Sequence, residues 1–279
     1  MDPGEEWFEG AGGVRLYCRR WEPAGAHAGG RAAVIAVHGL GDHSGLYPMI
    51  AETLVPRGIA VRAPDLRGNG RSPGQRGHIG AWAELREDLR RLVLRTRAES
   101  PGRPLFLLGS SLGGLVVLDY AMHHPDGLRG VIALATPLGA LGVPPALLAL
   151  GRVLSRVWPR FSLETGMDLG GLARDPAVAA TVLGDPLFHR RGTARLSTEV
   201  TATIARVQAG AAGFPLPLLV LHGAADRMVP PEGSRRFVAG VGRADARLIE
   251  YEGGYHALLA DVDGGRVLAD VAGWIDGHL

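Results

Sequence analysis

The sequence predicts an α/β fold: a mostly parallel eight-stranded sheet with helices on both faces and a helical insertion lying over it. Three observations lead there. Short runs rich in Val, Ile and Leu alternate with segments of helical period, the pattern of a parallel sheet covered on both sides. That rhythm breaks once, between Pro137 and about Pro215, where no good strand run occurs. With 279 residues and 46% hydrophobic content the chain can bury one substantial core.

In chain order, residues 6–8 and 14–21 flank a Gly-rich turn (Gly10, Gly12, Gly13) and predict an antiparallel hairpin at a sheet edge. Six further strands are expected at 33–37, 59–63, 105–108, 131–135, 218–221 and 247–251. Trp82, Leu85, Leu89, Leu92 and Val93 repeat at helical spacing, with Glu84, Arg86, Glu87, Arg90 and Arg91 opposite, so a surface helix packs on the sheet there. Similar patterns place helices at 45–55, 112–123, 232–239 and 267–278. The insertion, 137–215, contains Pro144, Pro145, Pro159, Pro176 and Pro186 and reads as short helices joined by turns. It divides a core made of 1–136 and 216–279. Within it, a helix at 145–158 would carry Leu147, Leu150, Val153, Leu154, Val157 and Trp158 on one face, with Arg152 and Arg156 opposite.

Composition narrows the chemistry. A net charge of +2, from 30 basic and 28 acidic residues spread along the chain, lacks the basic stripe of a nucleic-acid binder. Every basic residue is Arg, which removes Schiff-base lysines, phosphate-loop lysines and Ser-Lys dyads together. The single Cys18 has no partner for a disulfide or metal knuckle and reads as a half-buried strand residue. The acidic start, MDPGEEWFEG, has no apolar run before a cleavage site, so a cytoplasmic protein is expected.

The strongest local signal is Gly109-Ser110-Ser111-Leu112-Gly113, a G-x-S-x-G between a strand and a helix. A sharp strand-to-helix turn forces its serine into strained backbone, and small residues two positions either side give it room. Ser111 is therefore the candidate nucleophile, and Ser110 falls outside that register. An alcohol needs a base, and the base needs an orienting carboxylate. His256 lies just past the last predicted strand, and Asp226 a few residues past the strand at 218–221, giving the order Ser, Asp, His. His38 reads as structural, His123, His124 and His278 as solvated helix ends, and Asp261 and Asp263 as surface residues. The loop at His38-Gly39-Leu40-Gly41 can supply an oxyanion-hole N–H from Leu40, paired with that of Leu112.

Taken together, these residues resemble the monoglyceride lipase and lysophospholipase-like branch of the α/β-hydrolases. The segments from His38 to Tyr47 (HGLGDHSGLY) and from Asp65 to Ser72 (DLRGNGRS), Gly77-His78-Ile79, Gly184-Asp185-Pro186-Leu187 and the blocks around Asp226 and His256 carry the likeness. The resemblance implies an acyl-enzyme route on a lipid ester of monoacylglycerol or lysophospholipid type, no cofactor or metal, and an insertion acting as a cap. Ser110 stands where members often have His and Asp42 where many have Glu; with Gly39 both are expected to line the substrate pocket, as are Leu150 and Leu154 from the cap. One side of the cap helix is expected to line an acyl tunnel or meet a membrane surface. Since fold and triad do not fix the leaving group, a broad small-ester carboxylesterase or an amidase or peptidase is the alternative.

Overall fold

The computed structural model describes residues 2–25, 29–140, 144–166, 168–242 and 245–279. Eight strands form one sheet: β1 (Gly4–Glu9), β2 (Arg15–Trp21), β3 (Ala32–Val37), β4 (Ile59–Pro64), β5 (Leu105–Ser110), β6 (Gly130–Leu134), and, beyond the insertion with its own β7 (Ser162–Glu164) and β8 (Arg191–Thr193), β9 (Leu218–Gly223) and β10 (Ala246–Tyr251). Their spatial order is β1-β2-β4-β3-β5-β6-β9-β10. Only β2 runs against its neighbours, pairing antiparallel with β1 and β4, while β4, β3, β5, β6, β9 and β10 pair in parallel in that order.

The apolar runs read as central strands because both of their faces are covered. Every residue of β3, β4, β6 and β9 is buried, whereas β1 and β10 carry charged, exposed residues at the two edges. Alternate side chains feed two cores. Ile35, Leu107, Ala133 and Val220 meet one, with α2 (Trp82–Glu99), α3 (Leu112–His123) and Phe237 of α7 (Glu232–Gly240). Val34, Phe106, Ile132 and Leu219 meet the other, with Ile50 and Leu54 of α1 (Pro48–Leu54) and Val267 and Val271 of α8 (Gly264–Asp276).

Three local readings change. The helix expected at 45–55 starts only at Pro48, because a ring with fixed φ and no N–H suits the first helical position; the residues before it form a separate 3-10 turn. Cys18 is fully buried, not half-buried, since β1 covers the outer edge of β2 and the residue faces Pro64 of β4. The insertion is less broken than its prolines suggest. Besides α4 (Pro145–Val157) and α5 (Pro176–Gly184) it contains α6 (Ala194–Ala209), a 16-residue helix capped by the Thr193 hydroxyl, which accepts from the Leu196 N–H at 3.2 Å. Its strands β7 and β8 pair antiparallel, too short at three residues each to show any period. Among the described residues, no helix is long and apolar enough to cross a membrane.

Candidate active site

β5 ends at Ser110, and α3 begins at Leu112, so Ser111 makes the turn alone. Its φ of 51° and ψ of −120° put a non-glycine residue in left-handed territory, strain that persists only where the surroundings over-determine it. Here they do. A Cβ added at Gly109 would collide with the Gly113 carbonyl, and one at Gly113 would collide with the Val37 and His38 carbonyls. Strand, helix and the end of β3 thus meet at a separation that only glycines allow, and the turn throws Ser111 out beyond the sheet.

The partner side chains come from the same end of the sheet. β9 and β10 pair in parallel through Glu250 opposite His222 and Tyr251 opposite Gly223, so the loops after them leave side by side. The Ala225 N–H then donates to the Gly254 carbonyl at 3.0 Å, lacing the loop of Asp226 to the loop of His256. His256 Nδ1 donates to Asp226 Oδ2 at 2.7 Å. A carboxylate has no proton to give, so Nδ1 carries the hydrogen and Nε2 keeps its lone pair. The other oxygen, Asp226 Oδ1, accepts from the Met228 and Val229 N–H groups, both at 2.9 Å. Burial alone would raise the Asp226 carboxyl, but hydrogen bonds from His222 and His256, with the charge of His256 and the Val229 N–H, hold it well below the usual carboxylate range. It stays ionised beside the imidazole. The neighbouring Arg227 side chain pairs with Asp168, at 3.5 Å, and not with Asp226.

The loop after β3 passes against Ser111: a Cβ on Gly39 would stand 3.2 Å from Ser111 Cβ. His38 is fully buried and accepts the Leu66 N–H on Nε2 at 2.9 Å, which leaves Nδ1–H to donate to the Gly39 carbonyl at 2.7 Å. The Asp42 N–H reaches the same carbonyl at 3.3 Å. In a trans peptide the N–H lies opposite the carbonyl, so fixing Gly39 O aims the Leu40 N–H the other way. Burial pushes the His38 imidazole below its ordinary value, keeping the neutral form that this pairing needs. The Leu112 N–H, first in α3, has no acceptor within its helix.

Of the residues expected at the site, Ser111, His256, Leu40, Leu112, Gly39, Asp42, Ser110, Leu150 and Leu154 all line one cavity of about 930 Å³, and Asp226 stands behind His256. The insertion forms much of its wall, with Leu147, Phe161, Val178, Val182 and Leu196. Among the described residues, no three His, Cys or carboxylate side chains converge to hold a metal ion.

A family model described as serine aminopeptidase, S33 (Hydrolase_4) matches residues 29–263. The chain belongs to this family. The hydrolase is 35% identical over 99% of its length to the monoacylglycerol lipase of Mycolicibacterium smegmatis, of which it covers 98%. It is 31% identical over 89% of its length to human monoglyceride lipase, covering 82% of that protein. The crystal structure of Paleococcus ferrophilus monoacylglycerol lipase matches with a TM-score of 0.85 at 34% identity, over 95% of this chain and 99% of that one. The family agrees with the resemblance carried by the segments at 38–47 and 65–72.

In this hydrolase the second of those segments is scaffold. Asp65, buried, accepts from the Ser44 and Arg71 N–H groups at 2.7 and 2.8 Å, and Arg67 grips Asp88 with two nitrogens at 2.7 Å. Asn69 Oδ1 accepts from the Gly41 N–H at 3.2 Å and from His189 Nε2 at 2.9 Å, tying the loop after β3 to the insertion. Sequence reasoning missed Tyr47, whose hydroxyl donates to Asp42 Oδ2 at 3.0 Å and so fixes a carboxylate on the cavity wall. Nothing in the spacing of a lone tyrosine announces that contact. It also misread Asp261. Far from lying on the surface, this carboxylate is buried and binds Arg174 of the insertion at 3.0 Å. Burial would raise it, but N–H donors from Val262, Arg174 and Asp175 and the Arg174 guanidinium hold it below the ordinary range.

Proposed function

We propose that this hydrolase cleaves the carboxylic ester of a monoacylglycerol through an acyl-enzyme intermediate, with Ser111, His256 and Asp226 as the catalytic triad. His256 Nε2 takes the proton as Ser111 Oγ attacks the ester carbonyl, and gives it to the departing alcohol as the tetrahedral intermediate collapses to the acyl-serine. A water, deprotonated by the same nitrogen, then releases the fatty acid. Asp226 stabilises the imidazolium and holds its tautomer, and the Leu40 and Leu112 N–H groups receive the oxyanion in both halves.

The observation that carries this reading is the strained Ser111 sharing one large, largely apolar cavity with a His256 already paired to Asp226. At about 930 Å³ the cavity is near the upper end of the roughly 300–1,000 Å³ of small-molecule sites, room suited to an acyl chain. Residues 137–215 act as the cap that encloses it. The relatives called monoacylglycerol and monoglyceride lipases support the glycerol ester over other leaving groups. Away from the cavity, Val153 and Val157 of α4 and Trp158 just after it are each more than half exposed, a surface suited to peripheral contact with a membrane.

The test is kcat/KM on monoacylglycerols from acetyl to oleoyl, a lysophosphatidylcholine, p-nitrophenyl acetate and an aminoacyl p-nitroanilide. Rising efficiency with acyl length and negligible anilide cleavage are expected. A flat profile would favour the small-ester carboxylesterase, and efficient anilide cleavage the peptidase.

A further inference from the structure

We infer that Arg174, in the insertion, is a positioning residue for His256, fastening the loop that carries the imidazole to the segment above it. The inference rests on His256 being the general base.

The loop between β10 and α8 is held on two sides. Below it, Gly254 O accepts from the Ala225 N–H, as described above. Above it, the ties run to residues 172–175 of the insertion. The Ala257 N–H, next after His256, donates to Leu172 O at 2.7 Å. Asp261, its side chain 1% exposed, accepts on Oδ1 from the Arg174 N–H at 3.0 Å and the Asp175 N–H at 3.3 Å, and on Oδ2 from Arg174 Nε at 3.0 Å. The Arg174 Nη2 also binds Asp263. On the near arm of the loop, a Cβ added at Gly253 would stand 3.8 Å from Arg174 Nη1. One guanidinium therefore spans the loop from three residues before His256 to seven after it.

Two physical consequences follow. Loss of the Arg174 side chain leaves Oδ1 of Asp261 with its backbone N–H groups but strips the buried Oδ2 of its guanidinium partner, which drives that oxygen toward water and draws residues 257–261 with it. The imidazole at the start of that stretch then loses its alignment between Asp226 and Ser111, where a displacement of about 1 Å can cost roughly a hundredfold in rate. Because the clasp joins the insertion to the catalytic loop, not one part of the core to another, lifting the insertion and misaligning His256 are one movement.

The experiment compares Arg174→Ala, Arg174→Lys, Asp261→Asn and His256→Ala in the full chain. Its readouts are thermal melting, kcat and KM on p-nitrophenyl butyrate, a short ester that need not fill the cavity, and the rate of Ser111 labelling by a small fluorophosphonate. Arg174→Ala and Asp261→Asn should fold, lose about tenfold to a hundredfold in kcat and in labelling rate, and leave KM nearly unchanged. Arg174→Lys, which keeps a charge for Asp261, should recover part of both. Folded Arg174→Ala with wild-type kcat and labelling, beside an inactive His256→Ala, overturns the inference and leaves the triad standing. A loss in KM alone overturns it too, making the arginine part of the binding wall. An active His256→Ala overturns the triad and the inference together. If Arg174→Ala does not fold, Arg174→Lys decides: reduced kcat at an unchanged melting temperature supports the role, and unchanged kcat refutes it.

Discussion

Replacing Asp226 by Asn changes one oxygen for an NH2 group, and the surroundings dictate which. Oδ1 faces two backbone N–H donors at 2.9 Å, so the amide oxygen must take that side and the NH2 must face His256. The NH2 and Nδ1–H are both donors and cannot pair, so the ring is driven to the tautomer in which Nδ1 accepts and the hydrogen sits on Nε2. That nitrogen can then no longer accept the serine proton. Loss of the same relationship in serine hydrolases costs about 10⁴ in kcat, or ~5.5 kcal/mol of transition-state stabilisation. The turn at Met228 and Val229 survives, since the amide oxygen still accepts both N–H groups, so folding should change little. The assay is kcat on p-nitrophenyl butyrate for both proteins, with thermal melting to confirm the fold. A folded Asp226→Asn within about tenfold of wild type would refute the triad assignment of this carboxylate and leave it a turn-capping residue.

Three further outcomes are expected. Gly41 has a φ of 80°, and a Cβ there would collide with His189 O; Gly41→Ala should cost at least about 1–2 kcal/mol for the left-handed backbone and lower kcat by shifting Leu40, whereas unchanged melting and turnover would show the loop to be tolerant. Burial, reinforced by the charge of Arg76, pushes His189 down to about 4, so the unfolded chain binds a proton below about pH 6.5 that the folded one refuses. Stability should be full above that pH and fall toward pH 4, and His189→Gln should flatten the fall in melting temperature; an equally steep fall would assign it elsewhere. Leu154→Asp, and Leu150→Asp at the more exposed position, should reduce kcat/KM for long acyl chains more than for acetyl, since each methylene buried against them contributes roughly 0.8 kcal/mol; folded variants with unchanged preference would remove the acyl-tunnel reading.

What was legible in the sequence had short-range causes. The G-x-S-x-G turn is written in adjacent residues because the contacts that demand Gly109 and Gly113 are made within a few residues of Ser111 and with the end of β3. The central strands were legible because burial on both faces leaves a continuous apolar run, as in Ala32–Val37. Asp226 and His256 followed from strand ends and chain order. The misreadings concern what only tertiary structure supplies. Asp261 looks like a surface acid until Arg174, 87 positions away, arrives beside it. The α6 helix carries Leu196, Val200, Ile204 and Val207 at helical spacing, but its polar, threonine-rich other face and the prolines before it masked the period, and the segment reads as short helices joined by turns. The tie from His189 and Asn69 to Gly41 joins three segments that no local pattern relates.

Whether Ser111 is the nucleophile of this hydrolase is tested most directly by covalent labelling with a fluorophosphonate followed by peptide mass mapping. One adduct is expected, on Ser111, formed at a similar rate in Ser110→Ala, absent in Ser111→Ala and strongly slowed in His256→Ala, with ester turnover lost in parallel with labelling. An adduct on Ser110, or full ester turnover by a folded Ser111→Ala, would contradict that role.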